Sequence, residues 1–151
     1  MASQLTTIYS TIAAQAITVG SASVGCLDLS QLRTDVQSAV LPTRMLVPFN
    51  ARGDGSLQSF WTLGDGVRTV DWGIADILFW RAHAAGIGLD DIAPDLIAYK
   101  VQYMELLKAL RTRAWNVIGC QLQVLAFEWP LGSGRWWDGV IGQLTIREIV
   151  Q

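Results

Sequence analysis

The side chains that could carry out chemistry are few and widely spaced in this sequence. His83 is the single histidine among 151 residues, and no nucleophile or carboxylate stands at a diagnostic spacing from it for acid–base or covalent catalysis. The two cysteines, Cys26 and Cys120, form neither a CxxC pair nor a Cys/His pattern typical of zinc sites. The sequence therefore predicts no catalytic residue, no cofactor and no metal site.

Asp76 is the acidic residue whose position needs a physical explanation. It stands inside the apolar run TVDWGIADILFW, residues 69–80, where an unpaired carboxylate would be costly to bury. Such a group is either a general acid with a raised pKa or the partner of a buried cation. We favour the paired interpretation, and the possible basic partners are Arg44, Arg68, Arg81 and Arg147.

The segment GIGLDD, residues 86–91, follows a predicted strand and opens a predicted helix, which is the setting of a phosphate-binding loop. It lacks the third glycine of the GxGxxG pattern, and Asp90 and Asp91 would repel a phosphate at the helix N-terminus. The pattern instead favours a tight turn, after which one of the two aspartates caps the helix.

Composition indicates one domain, residues 1–151, with more apolar surface than its size requires. Apolar residues make up 51% and charged residues 16% of the chain, below the roughly 25% charged residues of ordinary globular domains. No run approaches the roughly 18 apolar residues of a membrane span, and the N-terminus lacks the pattern of a signal peptide. We therefore expect a cytoplasmic chain with free thiols, no membrane partner and an apolar association surface.

Apolar spacing places the main elements. Steps of three and four residues predict a first helix over 3–17 and a longer one from Ile92 to Leu110. Prolines at 42 and 48 bracket a short strand, Thr43–Val47, which we expect at a sheet edge. Residues 67–81 predict the central strand, and period-two alternation on both sides of PLGSGRWWDG predicts a C-terminal hairpin.

This order predicts an α+β fold: a roughly four-stranded, mostly antiparallel sheet with two helices packed on one face, plus a long loop or arm at 50–66. The central strand is apolar on both faces, so we expect other copies or a neighbouring protein to cover the second face. Aromatic residues beside arginine can stack on bases or form protein hot spots, and the net charge of −2 favours the protein contact. The predicted interface residues are Phe60, Trp61, Ile77, Phe79, Arg135, Trp136 and Trp137.

Several short segments resemble one known family. These are IYSTIAAQAI, then LPTRMLVP, a long strand ending in DILFWR, the stretch GIGLDDIAPDLIAYKVQYMELLKAL and a hairpin ending in LTIREIV. Together they resemble the tail terminator, or tail completion, proteins of long-tailed bacteriophages. The edge strand LPTR-x-L-x-P and the helix start L-D-D-x-A-P-x-L-x-x-Y are the most telling parts.

The resemblance implies a structural virion protein that assembles in the host cytoplasm. It implies a ring, commonly of six copies, that caps the tail tube, stops its growth and meets the head–tail connector, with DNA only passing through the lumen. The family has no catalytic residue to carry over. Three alternatives stay open: another neck or head–tail joining ring protein, a small dimeric α+β module that holds an apolar ligand, and an enzyme that uses Asp76 or His83.

Overall fold

The structure, a computed structural model, describes residues 4–27, 36, 41–47, 59–62 and 68–150. Within these ranges the chain forms two helices and seven strands. In chain order they are α1 (Leu5–Ala13), β1 (Ile17–Val19), β2 (Ala22–Leu27), β3 (Thr43–Val47), β4 (Ser59–Thr62), β5 (Arg68–Ala82), α2 (Ala93–Ala109), β6 (Trp115–Glu128) and β7 (Trp136–Val150).

The strands form one curled, mixed sheet that resembles half of a barrel. Six strands follow the order β1-β2-β3-β5-β7-β6, and β4 pairs with β5 off this path. The pairs are antiparallel except β2 with β3, which run parallel. The predicted four-stranded, mostly antiparallel sheet is therefore wrong, although the described residues do form two helices.

The first missed element is the β1–β2 hairpin. Strand β1 is only three residues long and β2 contains several small residues, so the glycines of VGSASVG appear in the sequence as breaks rather than as a turn. Gly20 has a φ of +59° and precedes Ser21 in a two-residue connection between Val19 and Ala22. A two-residue Gly-Ser connection is a recognised hairpin signal, so this turn was accessible from sequence.

Strand β3 has the predicted bounds, but it does not lie at an edge. It runs between β2 and β5, and all five of its residues are buried. Prolines are confined to edges because they cannot donate to the ladder. Here Pro42 and Pro48 flank the strand instead of interrupting it, so the backbone donors of residues 43–47 remain available to their neighbours.

Strand β5 is central, as predicted, and β6 with β7 forms the predicted hairpin. The antiparallel ladder of β5 with β7 runs from Arg68 opposite Val150 to Ala82 opposite Trp137. A register irregularity interrupts it between Phe79 and Arg81. These long paired strands hold the connections at either end of the sheet in fixed positions.

Helix α2 lies within the predicted span and buries Leu96, Tyr99, Tyr103 and Leu107. Its N-cap residue is Ile92, and no side chain caps the helix, so the predicted aspartate cap is wrong. Asp91 binds Arg81 instead. In α1 the N-cap is Gln4, which makes no side-chain cap hydrogen bond.

One face of the sheet carries both helices. Side chains of β3, β5 and β7 on this face, including Leu46, Ile74 and Leu144, join the buried residues of α1 and α2 in one cluster. Helix α2 contacts both β1 and β6, the two strands at the ends of the sheet path. The sheet therefore curls around the helices until α2 reaches both of its ends.

The second face is partly covered within the chain itself. Ile77 and Phe79 have no exposed area and pack with Met45, Val47 and Val36 in a second buried cluster. Farther along the same face the side chains are polar and exposed, as at Gln143 and Thr145. The expectation that another subunit must cover Ile77 and Phe79 is wrong, because residues of the same chain already do so.

The predicted arm at 50–66 is described only at residues 59–62. These form β4, whose register places Phe60 opposite Asp71 and Trp61 opposite Val70 on β5. The other residues of the arm lie outside the described ranges. The interface prediction for Phe60 and Trp61 stays a prediction.

Candidate interaction surfaces

Asp76 is the partner of Arg44 in a closed, buried network. Nε of Arg44 lies 3.2 Å from Oδ1 of Asp76, and one Nη lies 3.2 Å from Oδ2. The Arg44 guanidinium also donates to the carbonyl oxygens of Gln15 and Ile12, at 2.7 and 3.0 Å. Arg44 thus ties β5 to the C-terminal end of α1, where a positive charge is favourable.

Tyr103 of α2 completes this network. Its hydroxyl donates to Oδ2 of Asp76 at 2.6 Å, and burial together with the Asp76 charge raises the pKa of Tyr103, which keeps this donor protonated. Burial is the largest single influence and would lower the pKa of Arg44, but Asp76, Tyr99, Tyr103 and Cys26 together outweigh it and raise that pKa. Arg44 is 0% exposed and Asp76 3%, so the geometry gives Asp76 a partner and no path to solvent.

His83 belongs to a second polar cluster, at the end of the sheet. Its Nδ1 lies 2.7 Å from Oδ1 of Asp138, and the other Asp138 oxygen accepts a hydrogen bond from Nε of Arg81 at 2.8 Å. Arg81 also binds Asp91 at 2.6 and 3.0 Å and the carbonyl oxygen of Gly88 at 3.0 Å. The hydrogen bond with Asp91 raises the pKa of Arg81 and lowers that of Asp91.

This cluster can position a loop. It also contains two of the groups that a catalytic triad needs, a histidine that could act as a general base and the carboxylate that orients it. A buried carboxylate bound to Nδ1 is how enzymes orient a general base. Within the described parts of the chain, no serine, threonine or cysteine side chain hydrogen-bonds to His83. Sequence reasoning missed the pair because Asp138 lies 55 residues from His83 and no local spacing indicates it.

No group of three or more histidine, cysteine, aspartate or glutamate side chains in the described ranges could hold a metal ion. None of the helices found there is long and apolar enough to cross a bilayer.

The cysteines are unpaired thiols, as predicted. Burial, with a smaller contribution from the charge of Asp76, raises the pKa of Cys120 to about 11 and raises that of Cys26. Because the thiolate is the reactive form, we expect iodoacetamide to alkylate the folded chain slowly at pH 8 and much faster near pH 11. In urea the chain is unfolded, so the same thiols should react with the pH profile of a free thiol, whose pKa is about 8.5.

Mass spectrometry of timed, quenched samples measures both profiles. The pKa of Cys120 is higher in the folded chain than in the unfolded chain. Between the two pKa values only the unfolded thiol ionises, so the free energy of unfolding falls as the pH rises through this range. A folded chain that reacts with the pH profile of a free thiol would contradict this placement of Cys120.

The predicted interface residues of the hairpin separate into buried and exposed ones. Trp137 is buried, and its ring packs edge-to-face with Phe79 at a centroid distance of 5.7 Å. Phe127 and Trp129 surround the same phenyl ring at 5.4 and 6.3 Å. Such aromatic contacts stabilise a core, so Trp137 supports the hairpin from inside.

Trp136 and Leu131 remain exposed at the end of the same hairpin, at 49% and 76% of their surfaces. Ile87, in the loop held by Arg81, is exposed at the same end of the sheet, where the His83 amide donates to the Trp136 carbonyl oxygen. We call Ile87, Leu131 and Trp136 the tip surface. Arg135, also exposed, lies between Leu131 and Trp136 in the sequence.

The tip is held in place by its own hydrogen bonds. The amide of Trp129 donates to the Arg135 carbonyl oxygen at 2.9 Å, and the amide of Gly134 donates to the Glu128 carboxylate at 2.6 Å. The indole of Trp137 donates to the Trp129 carbonyl oxygen at 3.1 Å. A surface organised in advance loses less conformational entropy when it binds.

A second exposed apolar surface lies on the outer side of α2. Ile97, Val101 and Met104 are 59%, 60% and 37% exposed, and their spacing of four and three residues places them on one helical stripe. We call these three residues the α2 stripe. Sequence reasoning missed it because the helix has a second, stronger apolar face that packs against the sheet.

The outer edge of β6 is a third candidate interaction surface, because its backbone groups face no neighbouring strand. Among the described strands β6 pairs with β7 alone, apart from one bridge between Asn116 and Arg111. From Trp115 to Phe127 it contains neither a charged residue nor a proline. Natural edges usually carry such residues to prevent strand addition, so this edge is available for pairing.

A comparison with models of known protein families finds no match, and a comparison with curated protein sequences finds none either. The resemblance to tail terminators therefore stays a prediction, carried by the short segments that suggest it. The function must be inferred from the surfaces described above.

Proposed function

We propose that this chain is a structural subunit of a phage tail or neck, of the tail terminator type, and that identical copies close into a ring. The ring caps the end of the tail tube, stops its growth and presents its other end to the head–tail connector. DNA passes through the lumen as cargo. The ring contains six copies in this proposal, as the resemblance implies.

The observation that carries the proposal is the presence of two unlike exposed apolar surfaces. Every large apolar side chain that is strongly exposed in the described residues, except Ile118 of β6, belongs to the tip surface or to the α2 stripe. Monomeric proteins scatter such side chains singly, whereas grouped ones indicate association. Two unlike surfaces fit a head-to-tail contact, in which each copy offers one surface to each neighbour.

Head-to-tail rings also suit a capping task. All subunits of a cyclic ring point the same way along its axis, so its two ends differ. One end can match the last ring of the tail tube, and the other, with a different surface, cannot accept a further tube ring. Growth then stops without a chemical reaction. The polar network around Asp76, which is closed to solvent, therefore needs only a structural role in this proposal.

Negative-stain electron microscopy tests this proposal. Tail tubes assembled from the tube protein of the same particle are mixed with the chain and with bovine serum albumin as a control. We expect a ring at one end of each tube and shorter tubes when the chain is added during assembly. Rings that bind the connector protein but not tubes would favour another neck protein, and no ring with either partner would contradict both.

A further inference from the structure

We infer that two copies of this chain pair through the outer edges of β6, antiparallel and about a two-fold axis. The contact goes beyond the proposed ring, because a two-fold contact uses the same surface on both copies and closes after two. In the proposed assembly it joins two rings through like surfaces and cannot extend them into a stack. Because small interfaces are weak, we expect six-copy rings at low micromolar concentration and paired rings as the concentration rises.

The edge of β6 is open over most of its length. From Ile118 to Phe127 its outer side has no partner among the described strands, beyond the single bridge between Asn116 and Arg111. This run contains neither a charged residue nor a proline, the devices that normally protect an edge. Its unpaired backbone donors and acceptors therefore specify the occupant as another extended strand.

The length of the edge favours β6 of a second copy as that strand. Strands β1 and β4 also have an open side in the described part of the chain, but they contain only three and four residues. Strand β6 has fourteen residues. A β6 strand from a second copy can pair along the whole open edge, and a two-fold axis perpendicular to the sheet makes the two strands antiparallel.

The side chains of β6 are self-complementary in one register. Cys120, Leu122 and Val124 face the helices, where they are partly buried against the core, whereas Gln121 and Gln123 alternate with them and are exposed. With Leu122 on the two-fold axis, it lies opposite its own counterpart, Cys120 lies opposite Val124, and Gln121 lies opposite Gln123. Every apolar side chain in this central part then meets an apolar one, and amide meets amide.

The charges at the two ends of the edge favour the same arrangement. Exposed Arg111 bridges Asn116 at one end, and half-buried Glu128 lies at the other. The Glu128 carboxylate accepts a hydrogen bond from the Gly134 amide, which leaves its negative charge in place. Antiparallel pairing brings Arg111 of each copy to the end where Glu128 of the other lies, whereas parallel pairing in register would bring like charges together. Complementary charges of this kind guide orientation.

Cysteine cross-linking tests both the contact and its register. In a Cys26→Ser/Cys120→Ser background, Leu122→Cys places two thiols directly opposite each other across the axis. Their Cα atoms would be about 4.5–5.5 Å apart, within the range that a disulfide spans. Gln121→Cys is the matched control on the same strand, because its own counterpart lies on the diagonal at about 7–8 Å. Circular dichroism establishes that both variants are folded.

Mild oxidation followed by non-reducing gel electrophoresis gives the rate of dimer formation. We expect Leu122→Cys to cross-link at least about tenfold faster than Gln121→Cys. Hydrogen exchange of the wild-type chain provides a second measurement that needs no substitution. Protection of the amides between residues 118 and 127 should rise with protein concentration, because pairing occupies the edge.

The outcomes separate this inference from the proposed function. Equal cross-linking of the two variants, or edge protection that is independent of concentration, would overturn the β6 contact even if the wild-type chain forms rings. Rapid cross-linking of Leu122→Cys in a chain that never forms a species larger than a dimer would support the β6 contact and contradict the ring.

Discussion

Replacing Asp76 with alanine should lower the free energy of unfolding by about 3–5 kcal/mol, the range for breaking a buried ion pair from one side. The reason is that the Arg44 guanidinium would remain in the core without a counter-charge, while Tyr103 would lose its acceptor. Urea unfolding, followed by far-ultraviolet circular dichroism, measures the change as a shift of the midpoint at constant slope.

A matched control is available on the same strand. Asp71 binds Arg147 with two contacts of 2.8 Å, but Arg147 is exposed, so Asp71→Ala should change stability little. The double variant Arg44→Met/Asp76→Leu should recover much of the loss, because it removes the unpaired charge and keeps apolar volume. An Asp76→Ala variant no less stable than Asp71→Ala would mean that Arg44 is not held in the core by this pair.

Gly139→Ala is the second substitution with a large expected effect. A Cβ on Gly139 would lie 1.8 Å from the carbonyl oxygen of Leu78 and 2.9 Å from its carbonyl carbon. Because backbone atoms cannot rotate away, β5 and β7 would have to separate at this position. We expect a loss at or beyond the upper end of the range of about 1–3 kcal/mol that overpacked cores usually show.

The control for this substitution is Gly119→Ala on β6. There the nearest atom to an added Cβ is Cβ of Thr145 at 3.6 Å, an ordinary contact. Alanine should be neutral or slightly stabilising at that position, because glycine in a strand gives up more backbone entropy on folding. Equal unfolding midpoints for the two variants would contradict the close approach of Gly139 to Leu78.

The elements that could be predicted from sequence are those with long, regular apolar spacing. Strand β5, helix α2 and the β6–β7 hairpin each repeat their pattern often enough to determine both type and face. The prediction that the central strand is apolar on both faces is confirmed, because Ile74 and Leu78 join one buried cluster while Ile77 and Phe79 join another. The β1–β2 hairpin was missed because β1, with three residues, is too short to repeat a pattern, and β2 is interrupted by small residues.

The contacts that depend on register could not be predicted. Four arginines could have paired with Asp76, and the choice follows from the alignment of β3 with β5. Leu46 lies opposite Asp76, which places Arg44, two residues away on the same face, within diagonal reach. The cover of Ile77 and Phe79 was unpredictable for a related reason, since part of it comes from Val36 and Leu41, which stand in a stretch of sequence without a regular pattern.

The central claim is that copies of this chain close into a ring, and the mass of the free protein in solution tests it most directly. Native mass spectrometry of the wild-type chain should show one closed species whose mass is six times that of the 16.5 kDa subunit. It should show no ladder of growing oligomers, because every subunit of a closed ring already has both of its neighbours. A monomer that persists across the accessible concentration range, or a dimer as the largest species, would contradict the claim.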